Sequence, residues 1–387
     1  MGSSKLNISR YKPNNILRKN GFIWRRFVFS GTESETGAER LFFVEAELLN
    51  PYLSPEEPVL GFKVRPRISE EDLQYALAGT EAAHAIQSES FVVPSYGAVR
   101  AGAFGTGSRQ FAFYFPAKSI GNDLRLENFT AGSCSFSADH IAGEITYTSE
   151  DIREHPEYLC DSGSIKWDLR YEIQYTLPPV YRKKADAWLP SGTRTVFAGT
   201  VTLDGREYHV VPKSSCGYIE LDCGRTMPAP WFHLSASNLT SLISGKTLFS
   251  SCFALSGSFE GTIGAAVRLE DDEVVIKADT GSHAVKPIWE CTQMPEDEDG
   301  EKLHWAVSTD DKKWVIDIDI MCQTKQLSIR NIESPEGGRK VMKILCGGTG
   351  TGEIRLYRHV KKNLELIEDA HVANALCEYG QLELPEQ

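Results

Sequence analysis

The chain has 387 residues, 41% of them hydrophobic and 24% charged, and carries a formal net charge of -12. That length accommodates two domains of ordinary size, and the composition is that of a globular protein. The carboxylate surplus excludes a nucleic-acid binder, which needs excess Lys and Arg against phosphate.

The opening Met1-Gly-Ser-Ser-Lys-Leu has no apolar core of a secretory signal. No run reaches the ~18 apolar residues of a membrane helix, so integral insertion is not expected, though transient membrane contact is compatible. Nine Cys without a Cys-x-x-Cys pair predict neither a disulfide framework nor a zinc site. Reduced thiols, a cytoplasmic location and no metal are expected. Arg25-Arg26 and Arg182-Lys183-Lys184 read as solvated loop or strand faces.

Along the chain, Ser69 with Asp72 resembles a capping box and predicts a helix through Leu77. Gly-rich joints at 102–107, 257–264 and 347–352 separate short runs of alternating polarity. From Trp167 to Leu177, apolar Trp167, Leu169, Tyr171, Ile173, Tyr175 and Leu177 interleave with polar residues, as in a strand with one wet face. A Pro-rich, basic stretch from Pro178 to Pro190 reads as a junction between domains at 15–185 and 186–387. Asp204-Gly205 marks a tight hairpin. Trp314, Ile316, Ile318 and Ile320 predict a strand, Leu327 and Ile329 the apolar side of another, and 371–378 a short helix. Many short strands with regular turns make an all-β sandwich or barrel fold.

No Rossmann glycine motif, Walker loop, Gly-x-Ser-x-Gly elbow or His-Glu-x-x-His is present. The glycines at 347–352 precede a strand-like run, which predicts a hairpin or bulge rather than a phosphate loop. The densest unusual segment is 217–238. In a strand, Tyr218, Glu220 and Asp222 share one face, and Ile219, Leu221 and Cys223 the other. Two readings stay open: carboxylates facing water, or carboxyls lining a cavity where desolvation makes a general acid. Trp231, His233, Ser235 and Ser237 likewise share a face.

This segment resembles the signature of the tocopherol cyclase-like family, related in fold to carotenoid 1,2-hydratases and AttH-like proteins. Tyr218, Glu220, Asp222, Gly224, Pro228 and Trp231 fall on matching positions. Flanking runs from Trp188, Phe197, Thr351 and Ala373 extend the similarity over about Trp167 to Gly380, with an aromatic-rich start at 21–29. Leu221 stands for the usual Lys, Cys223 for Trp, His233 for a common aromatic, and Ser235 and Ser237 for Gln and Asn.

The resemblance implies two lipocalin-like antiparallel β-barrels packed together, with few short helices. It implies a lipophilic, isoprenoid or polyene-like molecule held in a barrel or between the two. The implied chemistry is cofactor-free: an acid protonates an alkene, and a hydroxyl or water traps the cation. Asp222 or Glu220 would be the acid, Tyr218 its hydrogen-bonded partner, and His233 an alternative acid or base. Trp24, Trp167 and Trp231 would offer π faces, with Cys223, His233, Ser235 and Ser237 along the ligand. A carrier or sensor without chemistry and a purely structural protein with filled barrels are the alternatives, and oligomeric state is left open.

Overall fold

The computed structural model describes residues 20–61, 92–121, 123, 125–183, 186–213, 217–258, 262–278 and 287–383. The helix expected from Ser69 to Leu77 lies outside them. Among the described residues the fold is all-β and its strand pairs are antiparallel, with one α-helix, α1 (Ser149–Glu154), closed by a Thr148–Asp151 capping box. No described helix is long and apolar enough to cross a membrane.

The first sheet holds β1 (Phe22–Glu33), β2 (Glu39–Leu49), β3 (Tyr96–Ala103), β4 (Arg109–Phe115), β5 (Phe129–Ala131), β6 (Cys134–Phe136), β7 (His140–Tyr147), β8 (Gly163–Tyr175), β9 (Val180–Lys183), β10 (Asp186–Leu203), β11 (Arg206–Val210) and β12 (Gly217–Gly224). Its order is β4-β3-β2-β1, then β11 and β12 end to end in one lane, then β10-β8-β7-β6-β5. The lane is shared because β11 meets Thr32 and Glu33 while β12 meets Phe22 to Val28. The sheet curls until its edges touch: Phe115 packs on Phe129 at 6.2 Å, and Tyr147 Oη donates to the Ala112 carbonyl at 2.9 Å.

The second sheet holds β13 (Trp231–Ala236), β14 (Asn238–Ser241), β15 (Cys252–Ser258), β16 (Ile263–Leu269), β17 (Asp272–Ala278), β18 (Ile288–Asp297), β19 (Gly300–Asp310), β20 (Trp314–Gln323), β21 (Ser328–Glu333), β22 (Val341–Val360) and β23 (Asn363–Glu383). It runs β17-β16-β15-β13-β23-β22-β20-β19-β18, with β14 on β23 and β21 on β22. The chain therefore changes sheets between Gly224 and Trp231, beyond the junction expected at 185/186.

Each barrel wraps its own apolar core. Ile23, Phe27, Trp167, Leu169 and Phe197 fill the first; Phe232, Leu234, Trp305, Ile318 and Val372 fill the second. A third buried layer lies where the barrels meet, built on Phe22, Trp24, Phe43, Trp188, Tyr218 and Trp231. Strands bordering it, such as β1, β12 and β13, are buried on both faces, one toward a core and the other toward this layer. The approach is close. A Cβ on Gly348 would fall 2.0 Å from the Leu41 side chain, and one on Gly264 2.8 Å from Val180.

Several expectations hold locally. Asp204 and Gly205, both at positive φ, turn β10 into β11, and the glycines at 347–352 carry register shifts in β22. Others need correction. Residues 371–378 belong to β23, between β13 or β14 on one side and β22 on the other. Ala375, Leu376 and Cys377 are buried on both faces of the sheet, which erases the alternation that marks a strand. In β21 the expected faces are reversed: Ile329 is 60% exposed, while Ser328, Arg330 and Ile332 are buried, Arg330 reaching Glu45 of the first barrel. Arg25-Arg26 is not a solvated pair either, because Arg26 is fully buried between the barrels.

Candidate functional site

β1, β2 and β12 present their outer faces to the second barrel, and register fixes which side chains lie side by side. Trp24 stands between Asp222 on β12 and Glu47 on β2. One step along, Arg26 stands between Glu220 and Glu45, with Arg100 beyond on β3. The odd-numbered residues Ile219, Leu221 and Cys223 point into the first core, as period two requires. From the second barrel, β13 contributes Trp231, His233 and Ser235, and β23 contributes Glu378.

These groups meet around Arg26. Its guanidinium is ion-paired with Glu220 and donates to Glu378 Oε1 at 2.6 Å. Glu220 Oε2 also accepts from Tyr218 Oη and from Trp188 Nε1, both at 2.7 Å. Trp231 Nε1 donates to Glu378 Oε2 at 3.3 Å. Arg26 lies 5.0 Å from the Trp24 ring centroid, and Trp24 lies 6.0 Å from Trp231, so a cation is already held against π faces here. Burial works against the charge on Arg26, but Glu220 and Glu378 outweigh it and hold the guanidinium well above its ordinary pKa.

His233 lies fully buried, parallel to the Trp231 ring at 6.2 Å. Burial, then the Arg26 charge, pushes its imidazole down to about 3, so it is neutral. Its Nε2 pairs with Ser235 Oγ at 3.1 Å. Its Nδ1 is 3.7 Å from Glu220 Oε2 and has no hydrogen-bond partner, and Trp24 Nε1 has none either. Desolvation raises the Tyr218 phenol well above its usual value, reinforced by Glu220. Tyr218 and Glu220 are thus hydrogen-bonded to each other, with His233 beside them but not joined to the pair.

Among the residues expected at a site, Tyr218, Glu220, Asp222, Trp24, Trp231, His233 and Ser235 come together in this layer. Three do not. Trp167 is in the middle of the first core, and Cys223 points into the same core, its thiol bonded to the Ala187 carbonyl at 3.3 Å. Ser237 lies just past the end of β13, and there its carbonyl accepts from Arg194 at 2.7 Å. Arg26, Trp188 and Glu378 were missed. The signal for Arg26 was its place among Phe22, Trp24 and Val28 on one face of β1; Glu378 was hidden by the helical reading of its segment.

Solved structures similar to this chain include two named proteins. An AttH-like protein from Nitrosomonas europaea aligns over 92% of this chain and 93% of its own, at 9% identity and a TM-score of 0.39. Kievitone hydratase from Nectria haematococca aligns over 94% of this chain and 90% of its own, at 11% identity and a TM-score of 0.43. No family model and no curated protein matches. The site therefore stands on its own geometry.

A cleft of about 330 Å3 opens along the junction of the barrels, lined in part by Leu41, Phe104 and Tyr208 from the first and Gln326, Gly348 and Thr349 from the second. Phe104 packs on Phe43 at 5.0 Å, and Phe43 shares a cross-strand row with Val28 and Tyr218. Packed side chains thus run from the cleft wall to the Arg26 cluster.

Proposed function

We propose that this protein binds a lipophilic, isoprenoid or polyene-like small molecule where its two barrels meet and acts on it by tocopherol cyclase-like chemistry. A proton is added to an alkene, and an internal hydroxyl or a water traps the cation, giving cyclisation or hydration. Such a step needs an acid, π faces and a dry setting, and no cofactor. Trp24 and Trp231 are the π faces, Tyr218, Glu220 and Asp222 the proton-handling groups, and His233 and Ser235 contact the ligand. The proposed setting is the cytoplasm, where the described free thiols would stay reduced.

One observation carries this reading. The buried layer holds polar atoms without hydrogen-bond partners, His233 Nδ1 and Trp24 Nε1, beside paired indole rings. Each such atom costs about 1–3 kcal/mol, and a polar atom on a bound molecule would offset that cost.

Mass spectrometry of lipids extracted from the purified protein is the test. The expected result is one dominant lipophilic compound, turned over by the wild type and about 100-fold more slowly by Tyr218→Phe or by Glu220→Gln. A protein free of any such compound sinks the binding reading. Unchanged turnover in Tyr218→Phe, Glu220→Gln and Asp222→Asn sinks the chemistry. A non-catalytic carrier is favoured by one feature: Glu220 accepts hydrogen bonds from Tyr218 and Trp188 and is ion-paired with Arg26, a setting that favours a carboxylate over a proton-donating acid. A retained compound that no variant or wild type converts would establish the carrier.

A further inference from the structure

The second barrel runs on past the layer that joins it to the first. β22 touches the first barrel at Gly348 and β23 enters the layer at Leu376, yet their hairpin continues to a tip at 360–363. Two other turns end beside that tip. The turn at 310–314 joins β19 to β20, and its Lys313 carbonyl accepts from the His359 N–H at 2.8 Å. On the opposite side, the turn that follows β14 is tied down by the Leu242 N–H, which donates to the Asp369 carbonyl at 2.7 Å. The three turns form one rim, at the end of β23 remote from Glu378.

This rim is apolar and basic at once. Leu242, Ile243, Val360, Leu364 and Leu366 are 42–60% exposed there, at turns where polar residues are the rule. The same turns carry Lys246, Lys312, Lys313, Arg358, Lys361 and Lys362 against Asp310, Asp311 and Glu365, in a chain whose net charge is -12. Two of those carboxylates are engaged locally. Glu365 pairs with Arg358 at 3.0 Å, and Asp311 Oδ1 accepts from the Lys313 and Trp314 backbone, both at 2.7 Å. Lys246, Lys312, Lys361 and Lys362 are exposed and have no carboxylate partner among the described residues. The acidic turn of Glu270, Asp271 and Asp272 is tied to Ser251 Oγ, in the stretch that returns along Leu239, and stops short of the tips.

We propose that this rim docks on an anionic lipid bilayer, its aliphatic side chains entering the boundary between headgroups and acyl chains while its lysines meet the lipid charges. Charge complementarity favours that partner. Lysine is depleted from protein interfaces, whereas at a bilayer its stem lies along apolar surface and its ammonium stays at headgroup level. The acidic remainder of the chain does not oppose this, because charges beyond a Debye length of about 8 Å are largely screened. Aliphatic side chains on separate tips make no groove, and a fluid surface needs none. Docking is independent of whether a molecule is held between the barrels.

Register sorts the two kinds of side chain. Leu366 lies opposite Tyr357 and Leu364 opposite His359, so these four share one face of the hairpin, and Arg358 and Glu365 share the other. Tyrosine beside leucine suits a membrane interface, since its ring is apolar and its hydroxyl polar. The hairpin also overhangs its neighbours: the last rungs are Trp314 with Arg358 on one side and Ser241 with Ala370 on the other. Its tip can therefore reach a surface before the barrel wall does.

Co-sedimentation of the full chain with vesicles tests this, using phosphatidylcholine mixed with phosphatidylserine and phosphatidylcholine alone. The mixed vesicles should bind the protein at about 0.1 M salt, and at least about 10-fold more weakly at about 0.5 M. Phosphatidylcholine alone should bind at least about 10-fold more weakly too. The double variant Lys361→Gln/Lys362→Gln should lose about 30-fold, and Leu364→Ser/Leu366→Ser at least about 10-fold. Ile329→Ser, equally exposed but on β21, should bind as the wild type does. Melting temperatures close to wild type show that a loss is not unfolding, and the lysine variant carries the test if the leucine variant melts early. No binding to the mixed vesicles, equal binding to phosphatidylcholine alone, or a lysine variant that binds like wild type overturns the proposal. So does a dimer in the ultracentrifuge that Leu364→Ser/Leu366→Ser dissolves without any vesicle binding, which assigns the rim to a second copy. Vesicle binding by a protein whose lipid extract holds no compound leaves the docking rim standing and sinks the binding reading alone.

Discussion

The interiors of the barrels and the layer between them are equally dry but differ in what they bury. The first core is aliphatic and aromatic from Ile23 to Phe197, and the second from Phe232 to Cys377. The layer between them buries Arg26, Arg100, Arg330, Glu45, Glu47, Glu220, Glu333 and Glu378. Buried ion pairs contribute little to stability compared with apolar residues of the same volume, because desolvation offsets their attraction. The difference teaches that the cores hold the fold together, whereas the layer keeps charge that folding alone does not require.

Five experiments would sharpen or break that contrast. The largest losses should come from single truncations. Trp167→Ala empties the first core, and Arg26→Ala strands Glu220 and Glu378 without their cation. Each should cost about 3–5 kcal/mol, read from denaturant midpoints. Replacing Arg26, Glu220 and Glu378 together by Met or Leu should be neutral or stabilising by up to about 4 kcal/mol while abolishing turnover. A triple variant that unfolds would show that the charges hold the barrels together.

Smaller effects come next. Tyr218→Phe removes a donor to a buried carboxylate and should cost about 1.5–3 kcal/mol. Stability should also vary with pH in two opposed ways. His233, lowered to about 3 in the folded state, takes up its proton near 6.5 when unfolded, so its contribution is complete above 6.5 and drains away as pH falls toward 3. Glu333, raised to about 8 from 4.5, contributes fully below 4.5 and loses that contribution as pH rises through 8. His233→Phe should flatten the acid limb and Glu333→Gln the alkaline one, in pH-dependent melting curves. Ser237→Ala should be the least of all, within about 0.5 kcal/mol, since among the described residues it is the Ser237 carbonyl, kept in the variant, that accepts from Arg194.

Legibility in the sequence followed the same division. The strand through Trp167, Leu169 and Tyr171 and the strand Trp314–Gln323 were plain because each has a core face and a wet face. The alternation of Tyr218, Glu220 and Asp222 also placed them together, and the resemblance singled them out. What failed were stretches that border the layer. There a charged residue is buried and its apolar neighbour exposed, as with Arg330 and Ile329, or both faces are buried, as along 375–378. Hydrophobic periodicity equates burial with apolarity, so it inverted β21, hid Glu378 and left Arg26 on the surface. Ionic partners such as Glu45 and Arg330, separated by 285 positions, leave no local pattern to read.

The bond from Arg26 to Glu378 joins residues 352 positions apart, nearly the two ends of the chain. Contacts of such long range are the last that a polypeptide closes, since the whole intervening loop must first be ordered. A nascent chain lacking β23 can build much of its first barrel yet has no counter-ion from Glu378 and no complete layer between the barrels. The Arg26 cluster should therefore be complete only once β23 has been made. Chains cut before residue 370 should release no compound on extraction, however much strand structure their circular dichroism shows.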